Sequence, residues 1–137
     1  MNTLKITAEN RTEYENTSVN FAGNIEIAEN LGTVGFISLS ATGAITANIG
    51  SGINAGWGIN AGWGINAGEG IDAGNGINAG SGINAGWGIT CQWIDCQLRI
   101  FAGLCAWKMP TEEEMTITAN IRRGTVAFGI QKSAEAK

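Results

Sequence analysis

The chain has 137 residues, 15% of them charged, a formal net charge of −4 and no histidine. That length suits one domain with a buried core, and the acidic balance argues against a general nucleic-acid binder. The missing histidine removes the commonest general base and the commonest metal ligand together.

The start, MNTLKITAENRTEY, lacks the apolar run of a secretory signal, and no stretch approaches the roughly 18–20 apolar residues that span a bilayer. Cys91, Cys96 and Cys105 are an odd number without a signal, so reduced thiols in a cytoplasm are expected. Their spacing, C-x4-C-x8-C, does not match a structural zinc site. Small buried fillers are the expected role, with no metal and no cofactor.

Residues 1–18 are polar apart from the short strand candidate LKIT, and read either as a cap on the first coil of a solenoid that begins near Val19 or as a frayed terminus. From Val19 the pattern is β-like: VNF, NIEIAENL, TVGFISLS and ATGAITANIG, punctuated by glycine. Ile37, Ile45 and Ile53 lie eight apart, which suggests first coils with longer corners.

Between Gly52 and Trp93 one hexad recurs: GINAGW, GINAGW, GINAGE, GIDAGN, GINAGS, GINAGW and a worn GITCQW. A short period of this regularity signals a solenoid. Alternation along a strand puts Ile and Ala on one face and Asn on the other, and the glycines around the sixth residue bend the chain each cycle. Three hexads then make a triangular coil of about 18 residues, with equivalent residues about 4.8 Å apart. The predicted interior is Ile53, Ile59, Ile65, Ile71, Ile77, Ile83 and Ile89, with Ala55, Ala61, Ala67, Ala73, Ala79, Ala85 and Cys91 beside them. A helix is excluded, because glycine at this spacing interrupts any 3.6-residue stripe.

Asn54, Asn60, Asn66, Asp72, Asn78 and Asn84 are predicted to form polar ladders on the flat faces. The sixth positions vary in polarity and are predicted at exposed corners: Trp57, Asn75 and Trp93 on one, Trp63 and Ser81 on another, Glu69 and Trp87 on the third. Each indole either shields glycine backbone or joins a contact surface, since Trp is enriched where interfaces draw most of their energy. The candidate partner-binding residues are Trp57, Trp63, Glu69, Asp72, Trp87 and Trp93, and no residue is a catalytic candidate. Sugar stacking on such indoles suits a cytoplasmic protein less well.

After the repeat, Ile94, Leu98, Ile100, Phe101, Leu104 and Trp107 are expected to plug the end of the stack. Pro110 and Glu112–Glu114 read as a loop, and MTITANI and TVAFGIQ around Arg122-Arg123-Gly124 read as a β-hairpin. The expected organisation is an all-β parallel β-helix over residues 19–107, an N-terminal cap over 1–18, and a C-terminal hairpin, cap or dimerisation element over 108–137.

The hexad resembles the left-handed parallel β-helix of hexapeptide-repeat proteins. The acyltransferases of that family need a catalytic histidine that this chain lacks, so the resemblance implies the fold without the activity. The I-x-A-G-x-G rhythm over residues 19–107 also looks like the bactofilins, bacterial polymer-forming scaffolds. GWGINAGWGINAG followed by LRIFAGLCAWKMP is similar in texture to small phage and mobile-element proteins, which include inhibitors of the anti-CRISPR type. The resemblances imply a non-enzymatic interaction protein, phage-encoded, that binds a host defence protein such as a CRISPR–Cas component in the host cytoplasm. Homodimerisation through the hairpin is compatible with this, and membrane or direct nucleic-acid binding is not expected. A self-assembling bactofilin-like scaffold is the alternative.

Overall fold

The structure, a computed structural model, describes residues 2–102 and 116–132. Glycine-bounded runs of three to five residues are too short for long strands, and they form short ones joined by tight corners. In chain order these are β1 (Thr3–Ile6), a single helical turn α1 (Arg11–Tyr14), β2 (Ser18–Phe21), β3 (Asn24–Ile27), β4 (Gly32–Phe36), β5 (Ser38–Ala41), β6 (Ile45–Ala47) and β7 (Ser51–Ala55). The hexads then give β8 (Ile59–Ala61), β9 (Ile65–Ala67), β10 (Ile71–Ala73), β11 (Gly76–Ala79) and β12 (Ile83–Ala85). Three further strands complete the chain order: β13 (Ile89–Ala102), β14 (Thr116–Phe128) and β15 (Ile130–Lys132).

These strands pair in parallel and stack as a β-solenoid of about 5 turns, about 19 residues per turn. The first face stacks β1, β3, β6, β9, β12 and the end of β13. The second stacks β2, β5, β8, β11 and the middle of β13. The third stacks β4, β7, β10 and the start of β13.

The coil shortens along the chain. On the first face the inward isoleucines run Ile25, Ile45, Ile65, Ile83 and Ile100, so the step falls from 20 residues to 18 and then 17. The 18-residue step predicted from the hexad holds within the hexad, and the longer early corners raise the average.

All seven predicted interior isoleucines are buried, as are the six alanines and Cys91. Each fully buried Ile stabilises by about 1.5–3 kcal/mol gross. Ile25, Ile27, Val34, Phe36, Leu39 and Ala41 continue the core in the early coils. Among the described residues Ser51 is the polar one buried with them; its hydroxyl donates to Ala28 O at 2.5 Å and accepts from Leu31 N at 3.0 Å. That satisfies it, as burial requires.

Three expectations are corrected. Ile37 does not join Ile45 and Ile53: it is the single residue between β4 and β5, so the bend turns it outward while Phe36 and Leu39 point in. Ile45 and Ile53 are buried on different faces. The segment after the repeat does not plug the stack, because β13 is a further coil that visits all three faces. Ile94 and Ile100 fill inward positions of that coil, and Leu98 is exposed at a corner. Leu104, Cys105, Trp107, Pro110 and Glu112–Glu114 lie outside the described residues.

The third correction is the hairpin. β14 pairs in parallel with β13 along its length, with register shifts, and β15 pairs in parallel with β14. Alternating residues with a glycine between them fit a hairpin and a coil corner equally well, and the buried Ile117 and Ala119 continue the coil interior. Gly124 turns with φ +116, and a Cβ there would meet Cys96 Sγ at 2.5 Å.

At the other end, residues 7–17 run between β1 on the first face and β2 on the second, where a third-face strand would otherwise pass. Arg11 Nη1 donates to Leu31 O at 2.9 Å, Asn16 N donates to Gly35 O at 2.9 Å, and Tyr14 packs against the core. The polar stretch is thereby tied to the first full coil.

Candidate functional site

With the interior given to Ile and Ala, side chains free to act lie on the flat faces and at the corners. The corners are built by backbone bonds between coils. On one, Ile37 N donates to Thr17 O at 2.9 Å, Trp57 N to Ile37 O at 2.8 Å, Asn75 N to Trp57 O at 2.6 Å, and Gln92 N to Asn75 O at 2.7 Å. On the second, Gly43 N donates to Gly23 O at 2.8 Å, Trp63 N to Gly43 O at 3.2 Å, and Ser81 N to Trp63 O at 3.1 Å. On the third, Glu69 N donates to Ser51 O at 3.0 Å and Trp87 N to Glu69 O at 3.3 Å.

The predicted pairs Trp57/Asn75, Trp63/Ser81 and Glu69/Trp87 therefore stack as expected. Trp93 does not join Trp57: the 17-residue step brings Gln92 to that corner and places Trp93 beside Gly76. Its indole lies where a Cβ of Gly76 would be, 2.0 Å from Cε2, and the Arg122 guanidinium sits 4.2 Å from its ring centroid. Trp93 is held between glycine backbone and a cation, the shielding role anticipated for some indoles.

The six candidate residues are thus not one patch. Trp57 and Trp63 are 68% and 60% exposed on different corners, and Trp87 and Glu69 are half-buried on the third. Asp72 lies on the third face between Asn54 and Thr90. The other ladders are also in register, Asn60 with Asn78 and Asn66 with Asn84.

Residue-pattern reasoning missed two groups. Ile37 is 47% exposed and stands directly beside Trp57 in its column, forming an apolar ridge. Asn24, Glu26 and Thr46 line an open groove of about 390 Å³ on the first face, with Thr3 and Trp63 at its sides. The alternation of NIEI does place Asn24 and Glu26 outward. Their meeting with Trp63 depends on the 20-residue step, which the hexad period does not reveal. A second groove of about 300 Å³ on the same face is lined by Asn66, Asn84, Arg99 and Phe101 among others.

The buried thiols are chemically quiet. Burial, with the Asp72 charge adding to it, pushes Cys91 up to about 12, against the smaller opposing effect of its hydrogen bond to Trp93 O. Burial likewise raises Cys96. At neutral pH both are thiols, not the thiolates that nucleophilic chemistry uses. Asp72 is also raised: desolvation by its packed neighbours outweighs the hydrogen bond from Thr90. Asp72 is nonetheless an exposed residue of the third face.

Among the described residues no group of three or more His, Cys, Asp and Glu side chains is gathered to hold a metal. No described helix is long and apolar enough to cross a membrane. No protein-family model, curated protein or solved structure matches the chain. The parallel solenoid is the part of the sequence resemblances that the structure supports.

Proposed function

We propose that this protein is a non-enzymatic binding protein whose rigid corners hold a protein partner. The observation that carries this reading is the ridge of Ile37 and Trp57, two large apolar side chains exposed in adjacent coils on one corner. A bonded column of backbone fixes both, so docking orders little that is not already ordered. Exposed tryptophan on such a base is the usual centre of interface energy. The finer reading, a phage-encoded inhibitor that occupies a host defence protein in the cytoplasm, draws its support from the texture of the repeat and the absence of histidine.

The test compares the wild type with the Ile37→Ser, Trp57→Ala double variant, both immobilised and exposed to lysates of bacteria carrying CRISPR–Cas systems. A defence component retained by the wild type and lost from the double variant is the expected result. Equal retention by both removes the ridge from the reading, and retention of nothing by the wild type refutes the proposal.

A second reading has its own observation. Among the described residues no strand pairs with the outer edges of β1 and β2, and open parallel edges invite end-to-end stacking. Filaments in negative stain and scattering that rises with concentration are expected on that scaffold reading. A sharp monomer at all concentrations excludes it.

A further inference from the structure

We infer that the groove beside Trp63 is a subsite for a neutral pyranose, as presented by a β-linked oligosaccharide. This goes beyond the protein-binding reading and does not rest on it, because Trp63 and Trp57 occupy different corners.

The groove combines one stacking face with polar groups whose directions are already set. The column behind Trp63 consists of Gly43 and Gly23, so its indole has no side-chain neighbours there and stays 60% exposed. Across the groove, Asn24 Oδ1 accepts from Ala44 N at 2.8 Å, which leaves the amide nitrogen to donate outward. Glu26 Oε2 accepts from Asn48 Nδ2 at 3.1 Å, which orients the carboxylate and leaves capacity on its second oxygen.

Asn24 and Glu26 are two apart on β3, roughly 6.5 Å along the strand, and Thr46 pairs with Glu26 on the next strand about 4.8 Å away. A fixed donor, a fixed acceptor and a hydroxyl at such spacings match the hydroxyl set of a sugar ring. The indole face suits the C–H face of a pyranose whose substituents are equatorial. A few placed polar groups around an apolar wall are the general design of small-ligand sites, and about 390 Å³ is within their size range.

The charge selects among ligands that stack. Among the described residues no Lys or Arg lines the groove, and Glu26 does. A nucleotide or a uronic acid would place its anion beside that carboxylate. Lys5 is in register with Glu26 on β1 but is not part of the lining.

The test is a titration of the isotope-labelled protein with cellotetraose and chitotetraose up to about 10 mM, the range where one stacked ring with few hydrogen bonds saturates. Saturable shifts at Asn24, Glu26, Thr46 and the Trp63 indole are expected, with the Trp57 indole unmoved. Trp63→Ala should bind roughly tenfold more weakly with its spectrum otherwise dispersed, and Trp63→Phe should recover most of the loss. No saturable shift with either sugar overturns the inference, as do shifts centred on Trp57 or a Trp63→Ala variant that binds like the wild type. A stronger response to an oligogalacturonate overturns the assignment of a neutral ligand.

Discussion

Gly56 and Gly74 hold the same place in the hexad, stack in the same column and are both exposed, yet alanine should act oppositely at the two. A Cβ on Gly74 would lie 1.9 Å from Gly56 O, whereas a Cβ on Gly56 would have its nearest neighbour, Ile37 O, at 3.8 Å. To reach ordinary contact, the Gly74→Ala corner must open by about 1.5 Å, as overpacked sites do at a cost of about 1–3 kcal/mol. That movement breaks or strains the bonds from Gly74 N to Ala55 O (2.9 Å) and from Asn75 N to Trp57 O (2.6 Å). With each bond worth about 0.5–1.5 kcal/mol net, the variant should lose roughly 2–4 kcal/mol. At about 3 °C per kcal/mol for a chain of this size, its Tm should fall by roughly 6–12 °C. Gly56→Ala restricts the unfolded chain without a clash and should be neutral or stabilising by up to about 1 kcal/mol. Urea and thermal denaturation of the two variants decide the matter. Equal shifts would falsify the claim that carbonyl approach between coils, and not glycine as such, is what the corner requires.

Ile71→Ala, in the middle of the stack, should cost about 2–5 kcal/mol by equilibrium denaturation, because neighbouring coils are bonded in register and cannot close the cavity. Trp57→Ala should change stability by less than about 0.5 kcal/mol, as expected where a side chain is mostly in water. Folding retains the Cys91 proton up to about 12, while an unfolded thiol releases it near 9.0, so stability from this group declines as pH rises through that window. In the Cys105→Ser background, alkylation at pH 8 should therefore be slow until denaturant is added; rapid labelling of native protein would contradict the burial argument. For Asp72, whose folded carboxyl is also raised, stabilisation is greatest below the ordinary 3.8 and fades as pH rises through the folded value. Asp72→Asn should gain on the wild type between pH 4 and pH 7 in denaturant midpoint, and a constant difference would contradict it.

The interior was legible because the hexad states it seven times: a large aliphatic and a small residue two apart can share a face only in a strand. Three corner pairs were legible for the same reason. Longer corners were expected in the first coils, but the 20-residue step there and the shortening to 17 at the other end escaped. Trp93 left its corner because one residue is missing between Asn75 and Gln92 relative to the hexad count, a change carried by ITCQWIDC with no glycine to mark it. Ile37 escaped because a one-residue bend between β4 and β5 looks like a continued apolar run. The parallel β14 escaped because alternation fixes which residues point inward but not the direction of the neighbouring strand. The groove partners Asn24, Glu26 and Thr46 were readable one by one as outward residues, but their company was set by coil length.

The placement of the tryptophans follows from how the corner is made. The backbones of Trp57, Trp63, Glu69, Asn75 and Ser81 are each bound to the coil on either side, and the flanking glycines admit the close carbonyl approach, so the fold asks nothing of their side chains. Trp57, Asn75, Trp63, Ser81, Glu69 and Trp87 can occupy equivalent backbone positions for that reason. Exposing 68% of an indole at such a place forgoes burial that a large apolar side chain would otherwise contribute. Trp93 shows the contrast: packed on Gly76 beneath Arg122, it contributes to the stack as Trp57 and Trp63 do not. The two most exposed of the described indoles are therefore where binding is to be sought, Trp57 with Ile37 against a protein and Trp63 over its groove against a sugar.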